Sequence, residues 1–599
     1  MIIKMKTTKY IYTVLTVLVT SVFATANAQT TIPNDKNVTV EREYKPVIQD
    51  AGKINSVPEV LDPNVTKQAA KYSEINLPMT VGQNIQPIPA AELELQRRRN
   101  ARPAFVRLGM GNGLNSMADI FLPVISKEDI LLDLKLNHLG TFGTKAHSNS
   151  NMSLTLDKYY KNADIYAGIG LGHEYLKYYG KNYNYGSAGG DISEVNLSTV
   201  ATNYGNESFT EQDLVRINRT AQSFKLNEIA NSPSSDVFWR FNTFFGVRSL
   251  PNTSKIMYNA EVKFKSFDSK NGLTENIIHS KAGLNSQNGS HRVGVDFELI
   301  NLLYKSDNAA VLNFWDAYSV FVMNPYYSLE LANFNLRLGV KSSFSFIHGR
   351  AFNPSPDIHA EWRVVPKLVA LYAGASGEYK VNSLNEMFTE NRYLYSDLRV
   401  KDTYTPFNFY GGIKLKPVYN LLIDGYINYQ MIDNQYFFVN KEYASTTVPG
   451  QDSVIFTNKF NVTYSGASLL KVGLRANYNI FNFINVELKG AYNNWTVNSE
   501  DFAWNKPVYE ASFSTDIKIT NNFNVSGNVF VEGERFAKFG DKTMKMSPIV
   551  DVNLAASYSY SNWFTLFAKA NNLLNSHYQH FYGYEVQGIN VLAGVAFSW

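Results

Sequence analysis

The 599-residue sequence contains no cysteine. That excludes disulfides, thiolate metal sites, a cysteine nucleophile and a lipidated N-terminal cysteine. Beyond residue 30 there is no run of about 18 consecutive apolar residues, so no helix there can cross a bilayer. Net charge is also small: 56 Lys and Arg against 52 Asp and Glu leave +4, too little to imply a nucleic-acid partner. Catalytic signatures are missing too. No HExxH, G-x-S-x-G, P-loop or dinucleotide fingerprint occurs. The nine histidines are scattered, and even His577 and His580, neighbours in one polar stretch, read as solvated loop residues rather than metal ligands. The expectation is therefore no enzyme, with no catalytic, cofactor-binding or metal-binding residues and no cofactor.

What is present in quantity is aromatic and apolar side chains without long apolar runs. There are 38 Tyr and 38 Phe, and hydrophobic residues make up 45%. Mean hydropathy is −0.23, too polar for a bundle of membrane helices. Lipid offers the backbone no hydrogen-bond partner, so the other structure that can span it is a closed barrel. A barrel alternates apolar and polar residues, which keeps its average hydropathy near that of a soluble protein.

The first 28 residues read as a signal peptide. Lys4, Lys6 and Lys9 are followed by an apolar run from Ile11 to Ala24 and by the small-x-small site Ala26-Asn27-Ala28. Cleavage there makes Gln29 the mature N-terminus. Residues 29–102 carry Pro33, Pro46, Pro58, Pro63, Pro78, Pro87 and Pro89, a density that prevents long helices and central strands. We expect an extended periplasmic segment with one short strand near Val38–Tyr44 and a short helix from Ala90 to Asn100. Its Arg97-Arg98-Arg99 triplet would sit at the periplasmic rim. A partner-binding arm, or a segment tucked into the lumen, is the sharper alternative.

From residue 103 onward one unit repeats: an alternating strand, a tight turn, a second strand, a longer polar loop. At the C-terminus Ile589, Val591, Ala593, Val595, Phe597 and Trp599 share one face, and Asn590, Leu592, Gly594, Ala596 and Ser598 the other. Around the turn Thr520-Asn521-Asn522, Phe513, Thr515, Ile517, Val525 and Val529 oppose Ser514, Asp516, Lys518, Asn524 and Asn528. Charges on the inner face do not suit a dry sandwich core. They suit a wet lumen. Short turns are expected at 126–129, 161–164, 251–254, 285–290, 332–335, 364–367, 417–420, 480–484, 519–522 and 559–562. Loops are expected at 178–235, 381–404, 439–452, 498–507, 534–546 and 574–586. With both chain ends in the periplasm, this gives an all-β, transmembrane, antiparallel up-and-down barrel of about 22 strands over residues 103–599.

Asn571-Asn572-Leu573-Leu574-Asn575, then Tyr578, Tyr584, Gly588, Asn590 and an alternating end at Phe597 and Trp599, resembles the last two strands of TonB-dependent receptors. The resemblance covers residues 103–599 through the strand count. It implies an outer-membrane location and assembly by the barrel-assembly machinery, with outer-membrane lipid around the wall. It stops at the N-terminus, where about seventy proline-broken mature residues stand in place of that family's globular plug. The expectation is a plug-free relative that fills its lumen with inward loops, the N-terminal segment or large side chains. It would act as a channel or as an accessory barrel of an envelope complex. A non-conducting receptor or adhesin, and TonB-dependent uptake with a noncanonical plug, are the rival expectations. A periplasmic or outer-membrane protein bound through residues 29–102 is the expected partner class.

Overall fold

The computed structural model describes residues 103–186, 193–194, 234–250, 255–270, 272–305, 317–395, 398, 400–446, 453–480 and 483–599. The signal peptide, the proline-rich segment with its arginine triplet, most of loop 178–235 and the turn 251–254 lie outside the described residues, as do 481–482 within the turn at 480–484.

One antiparallel sheet dominates. Twenty-two of its twenty-four strands form the wall; the other two, Tyr183–Gly186 and Ser193–Glu194, are short outer pieces. In chain order the wall strands are β1 (Phe105–Gly111), β2 (Ser116–Ser126), β3 (Ile130–Thr141), β4 (His147–Tyr159), β5 (Ala163–Lys177), β6 (Ser235–Ser249), β7 (Ile256–Ser269) and β8 (Thr274–Asn288). They continue as β9 (His291–Lys305), β10 (Ala317–Glu330), β11 (Phe334–Phe346), β12 (Phe352–Val365), β13 (Val369–Lys380), β14 (Thr403–Val418), β15 (Leu421–Thr446) and β16 (Ser453–Ile480). The last six are β17 (Ile484–Val497), β18 (Tyr509–Lys518), β19 (Phe523–Glu532), β20 (Ile549–Ser561), β21 (Phe564–Asn571) and β22 (Asn590–Ser598). Each pairs with its neighbours in sequence. β1 pairs with β22 from Phe105↔Ser598 to Gly111↔Leu592 and closes the cylinder. Backbone bonds in both directions between Ala104 and Trp599, 2.9 and 3.0 Å, finish the seam. Closure leaves no edge in the wall, which a membrane requires.

The two faces separate as the alternation predicts. Inward side chains pair across strands: Arg107 with Asp119 at 2.5 Å, Arg337 with Asp357 at 2.9 Å, Lys414 with Glu361 at 3.0 Å and Lys471 with Glu510 at 2.5 Å. Outward, Leu108, Val262, Leu338, Ile427, Val472 and Leu554 stand exposed, an apolar surface far too continuous for a soluble protein. With the chain ends marking the periplasmic side, Tyr160, Trp362, Tyr419, Tyr560, Trp563 and Trp599 ring the inner interface, and Trp239, Tyr492 and Tyr509 mark the outer one. The barrel spans a membrane, and a wall of this size and polarity is that of an outer-membrane protein.

Two expected loops prove to be strand. β15 and β16 have 26 and 28 residues, so their hairpin continues through 439–446 and rises beyond the other strands. Bulges at Ile432/Gln435, Asn440/Glu442 and Glu442/Ala444 break its register, and such bulges bend a strand. Within 534–546, Arg535–Phe539 and Lys542–Met546 form a small hairpin of their own. Polar composition concealed both, because sheet outside the membrane needs no apolar outer face.

Candidate functional site at the outer mouth

The loop after β13 carries the one α-helix among the described residues, α1 (Leu384–Glu390). Its start is written locally. Ser383 is the N-cap, its Oγ accepting from the Glu386 N–H at 3.2 Å, and Glu386 puts a negative charge in the first turn. Leu384, Met387 and Phe388 fall on one face at i, i+3 and i+4. All three are at most 2% exposed.

That face packs on the inward side chains at the top of the wall. The Phe388 ring lies 4.9 Å from Phe238 on β6 and 5.3 Å from Phe267 on β7. The same cluster holds Leu176 from β5, Phe438 from β15, Phe460 from β16 and Tyr584 from the loop before β22. β6–β7 and β15–β16 lie nearly half the circumference apart in the strand order, so the cluster bridges the mouth. Each large apolar side chain buried in it contributes roughly 1.5–3 kcal/mol.

Carboxylates fasten the loop along its length. Glu275 of β8, 1% exposed, accepts from the Leu384 N–H at 2.8 Å and lies 3.5 Å from that of Asn385, satisfying donors that every helix start leaves open. Glu390 at the other end of α1 accepts from Lys506 Nζ at 2.7 Å and Tyr436 OH at 2.5 Å. Burial pushes its carboxyl up, but Lys506 and Tyr436 outweigh that and hold it below the ordinary value. At the loop's foot Asp402 accepts the hydroxyls of Tyr318 at 2.7 Å and Tyr379 at 2.9 Å. Burial pushes its pKa up to about 6, although both hydroxyls pull it down. Asn382 Nδ2 donates to Lys401 O and Thr403 Oγ1, both at 2.8 Å, and ties the two feet together.

The loop after β21 completes the cap. Tyr584 stacks on Tyr393, ring centres 3.5 Å apart, and donates to Asn458 O at 2.5 Å. Arg535, 1% exposed, donates to His580 O and Gln579 O at 2.9 and 2.8 Å. The Asn-rich motif at this loop's start has a conformational basis. Asn572 and Asn575 both take φ of 51°, a left-handed region that Asn tolerates. A Cβ at residue 588 would lie 2.4 Å from Asn575 Oδ1, so a larger residue there must push aside the amide that accepts from the Ile589 N–H at 3.1 Å.

Below the cap the lumen is polar. A cavity of about 470 Å3 is lined by Lys281, Asp296, Glu298, Lys341 and Glu386, among others, and a second, about 310 Å3, by Arg240, Lys263, Lys265 and Asn385. Both reach the underside of α1. His577 is exposed, and His580 faces Glu532 at 3.8 Å. Among the described residues no three His, Asp or Glu converge on a metal position.

Sequence reasoning did not single out Glu275, Asp402, Tyr318, Tyr379 or Glu390. The Ser383-x-x-Glu386 pattern was a local signal for α1. The carboxylates gave none, since their partners come from other strands.

No protein-family model matches the chain, and no curated protein is similar to it in sequence. The fold does have solved counterparts. The ferric enterobactin receptor of Pseudomonas aeruginosa aligns with 12% identity and TM-score 0.56, over 83% of this chain and 80% of that one. The ferric-catecholate import receptor Fiu of E. coli gives 10% and 0.57, over 84% and 82%. The copper transporter OprC gives 12% and 0.56, over 83% and 80%. At such identities the likeness is one of fold: a barrel like those of these receptors and this transporter.

Proposed function

We propose that this chain is a transport barrel of the outer membrane, held shut at its outer mouth by its own loops and opened when loop 381–402 lifts. The observation that carries the reading is α1, wedged between opposite walls over a polar lumen and fastened by carboxylates at both ends. A permanently open pore would not bury Phe388 and Tyr584 across its entrance. The solved counterparts named as receptors and a transporter support a transport role. Residues 29–102, which this reading places in the periplasm, would act from below, as a strap or as a docking arm for an envelope partner.

Planar-bilayer conductance tests this. The mature protein should be almost silent, and deletion of residues 384–390 should give steps of a wide pore. An open wild-type pore, or a deletion that folds but stays silent, would refute it. The tall β15–β16 hairpin favours a second reading, an accessory barrel that holds a partner outside the cell. Removing only the hairpin's outer end, residues 443–455, which leaves Tyr436, Phe438, Asn458 and Phe460 in place, would then lose co-purifying protein without changing conductance.

A further inference from the structure

One horizontal row on the lipid-facing side departs from the apolar pattern. Ala118, His138, Ser150, His173 and Trp239 are successive cross-strand partners on β2 to β6. Their face is the outer one, because Asp119 and Asn137, which alternate with Ala118 and His138, bond each other inside at 2.8 Å. β3 climbs from Ile130 to His138 and β5 from Ala163 to His173, and a tilted strand crosses the bilayer core in about 9–11 residues. The row therefore lies at the outer headgroup level.

Its polar groups are held in place. The His138 ring is bonded on both sides, Nδ1 with Ser150 Oγ at 2.8 Å and Nε2 with Ser116 Oγ at 3.0 Å. His173 stands edge-on to Trp239, ring centres 4.5 Å apart. Lys177 follows His173 four residues further out on the same face, beyond Tyr175. Beyond Trp239 the row continues to Asp268, which accepts Thr274 Oγ1 at 2.5 Å. One step towards the periplasm the next row is apolar: Ile120, Leu136, Met152, Leu171 and Phe241. Between the two rows runs a groove of about 290 Å3 lined by His138, Ser150, His173 and Trp239 above and Leu136, Met152 and Leu171 below.

We infer that this face of β2–β6 binds a phosphate-bearing glycolipid of the outer leaflet, acyl chain in the groove and phosphate against Ser150, His173 and Lys177, with His138 holding the Ser150 hydroxyl in place. The order of chemistry down the wall is that of a lipid: donors at headgroup height, aliphatic carbon beneath. Imidazole, hydroxyl, indole and ammonium groups all donate to an anion, and charge-assisted bonds to phosphate are the strong class. An interface that merely bordered lipid would need the indole alone. The site stands apart from the mouth and holds whether or not the barrel conducts.

Native mass spectrometry of the detergent-solubilised mature protein tests it, with diphosphoryl lipid A as probe and dephosphorylated lipid A and phosphatidylglycerol as comparators. The expected result is one retained lipid A per barrel and little of either comparator. The double variant Ser150→Ala/His173→Ala should weaken retention by on the order of a hundredfold, and Lys177→Gln by about tenfold, one charge-assisted bond each. Heat-modifiable gel mobility reports folding. Lys177→Gln, at the polar top of β5, carries the test if the double variant misfolds. Equal retention of phosphatidylglycerol or of the dephosphorylated lipid, or unchanged retention in folded variants, would overturn the site, as would a protein found cross-linked at His173 in place of lipid.

Discussion

Phe388→Ala removes the side chain that joins α1 to the wall. The ring is 2% exposed and sits within 4.9 and 5.3 Å of two others. Truncating such a phenylalanine costs about 3–5 kcal/mol. The lifted loop has already lost these contacts, so the cost falls on the closed form. At tenfold per 1.4 kcal/mol, the open fraction rises by roughly a hundredfold to a few thousandfold. The chain has no cysteine, so one introduced thiol is the only one present. Lys341→Cys places it in the lumen cavity beneath α1. A membrane-impermeant maleimide applied to intact cells then reads opening directly. Labelling should be slow in the Lys341→Cys background and faster by at least a hundredfold when Phe388→Ala is added. Phe539→Ala is the control: an equally buried ring in the outer hairpin, packed on Tyr183 and Phe456 away from α1, which should leave labelling unchanged. Equal rates with and without Phe388, in folded barrels, would show that the cap is not the barrier.

Three further outcomes follow from the same geometry. Asp402 has its pKa raised from 3.8 to about 6 in the closed loop, so closure is strongest below about pH 4 and weakens as pH rises through 6; open probability in planar bilayers should rise over that window, and Asp402→Asn should reduce the rise, while wild-type channels lacking any step would contradict it. Ser383→Ala removes the N-cap bond of α1, worth about 1 kcal/mol, and should speed labelling about fivefold with no change in the heat-modifiable mobility of the barrel. Gly588→Ala drives a methyl onto Asn575 Oδ1 and should lower the thermal midpoint and slow assembly, whereas Gln587→Ala next door should not slow it.

The wall was legible because its information is local. Alternation of period two, turns such as Thr520-Asn521-Asn522 and the parity of short and long connections set both the strand count and the face of each residue, and the described turns fall within a few residues of where that pattern put them, the last at Asn562–Trp563 and not 559–562. The inner charges read as lumen lining, and they are. The cap was not legible. Tyr179 meets Tyr584, and Glu275 meets Leu384; no spacing rule links residues so far apart in the chain. Glu275 looks in sequence like one more polar residue at a strand top, and loop 381–402 reads as polar punctuation despite the Leu384, Met387 and Phe388 face within it.

That contrast follows from what each part must satisfy. In the membrane every backbone group has to pair along the wall, so pairing is with sequence neighbours and the pattern repeats. Above the membrane water relaxes that demand, and loops are free to trade local regularity for long-range contact. The cap spends this freedom on buried carboxylates matched to backbone N–H groups and tyrosine hydroxyls rather than to cations, at Glu275 and Asp402 alike. Removing one partner of such a contact leaves a charge without its donors, which costs more than the contact itself contributes. A closure built that way would be held in one position with few intermediate ones, which is what the proposed shut-or-open mouth requires.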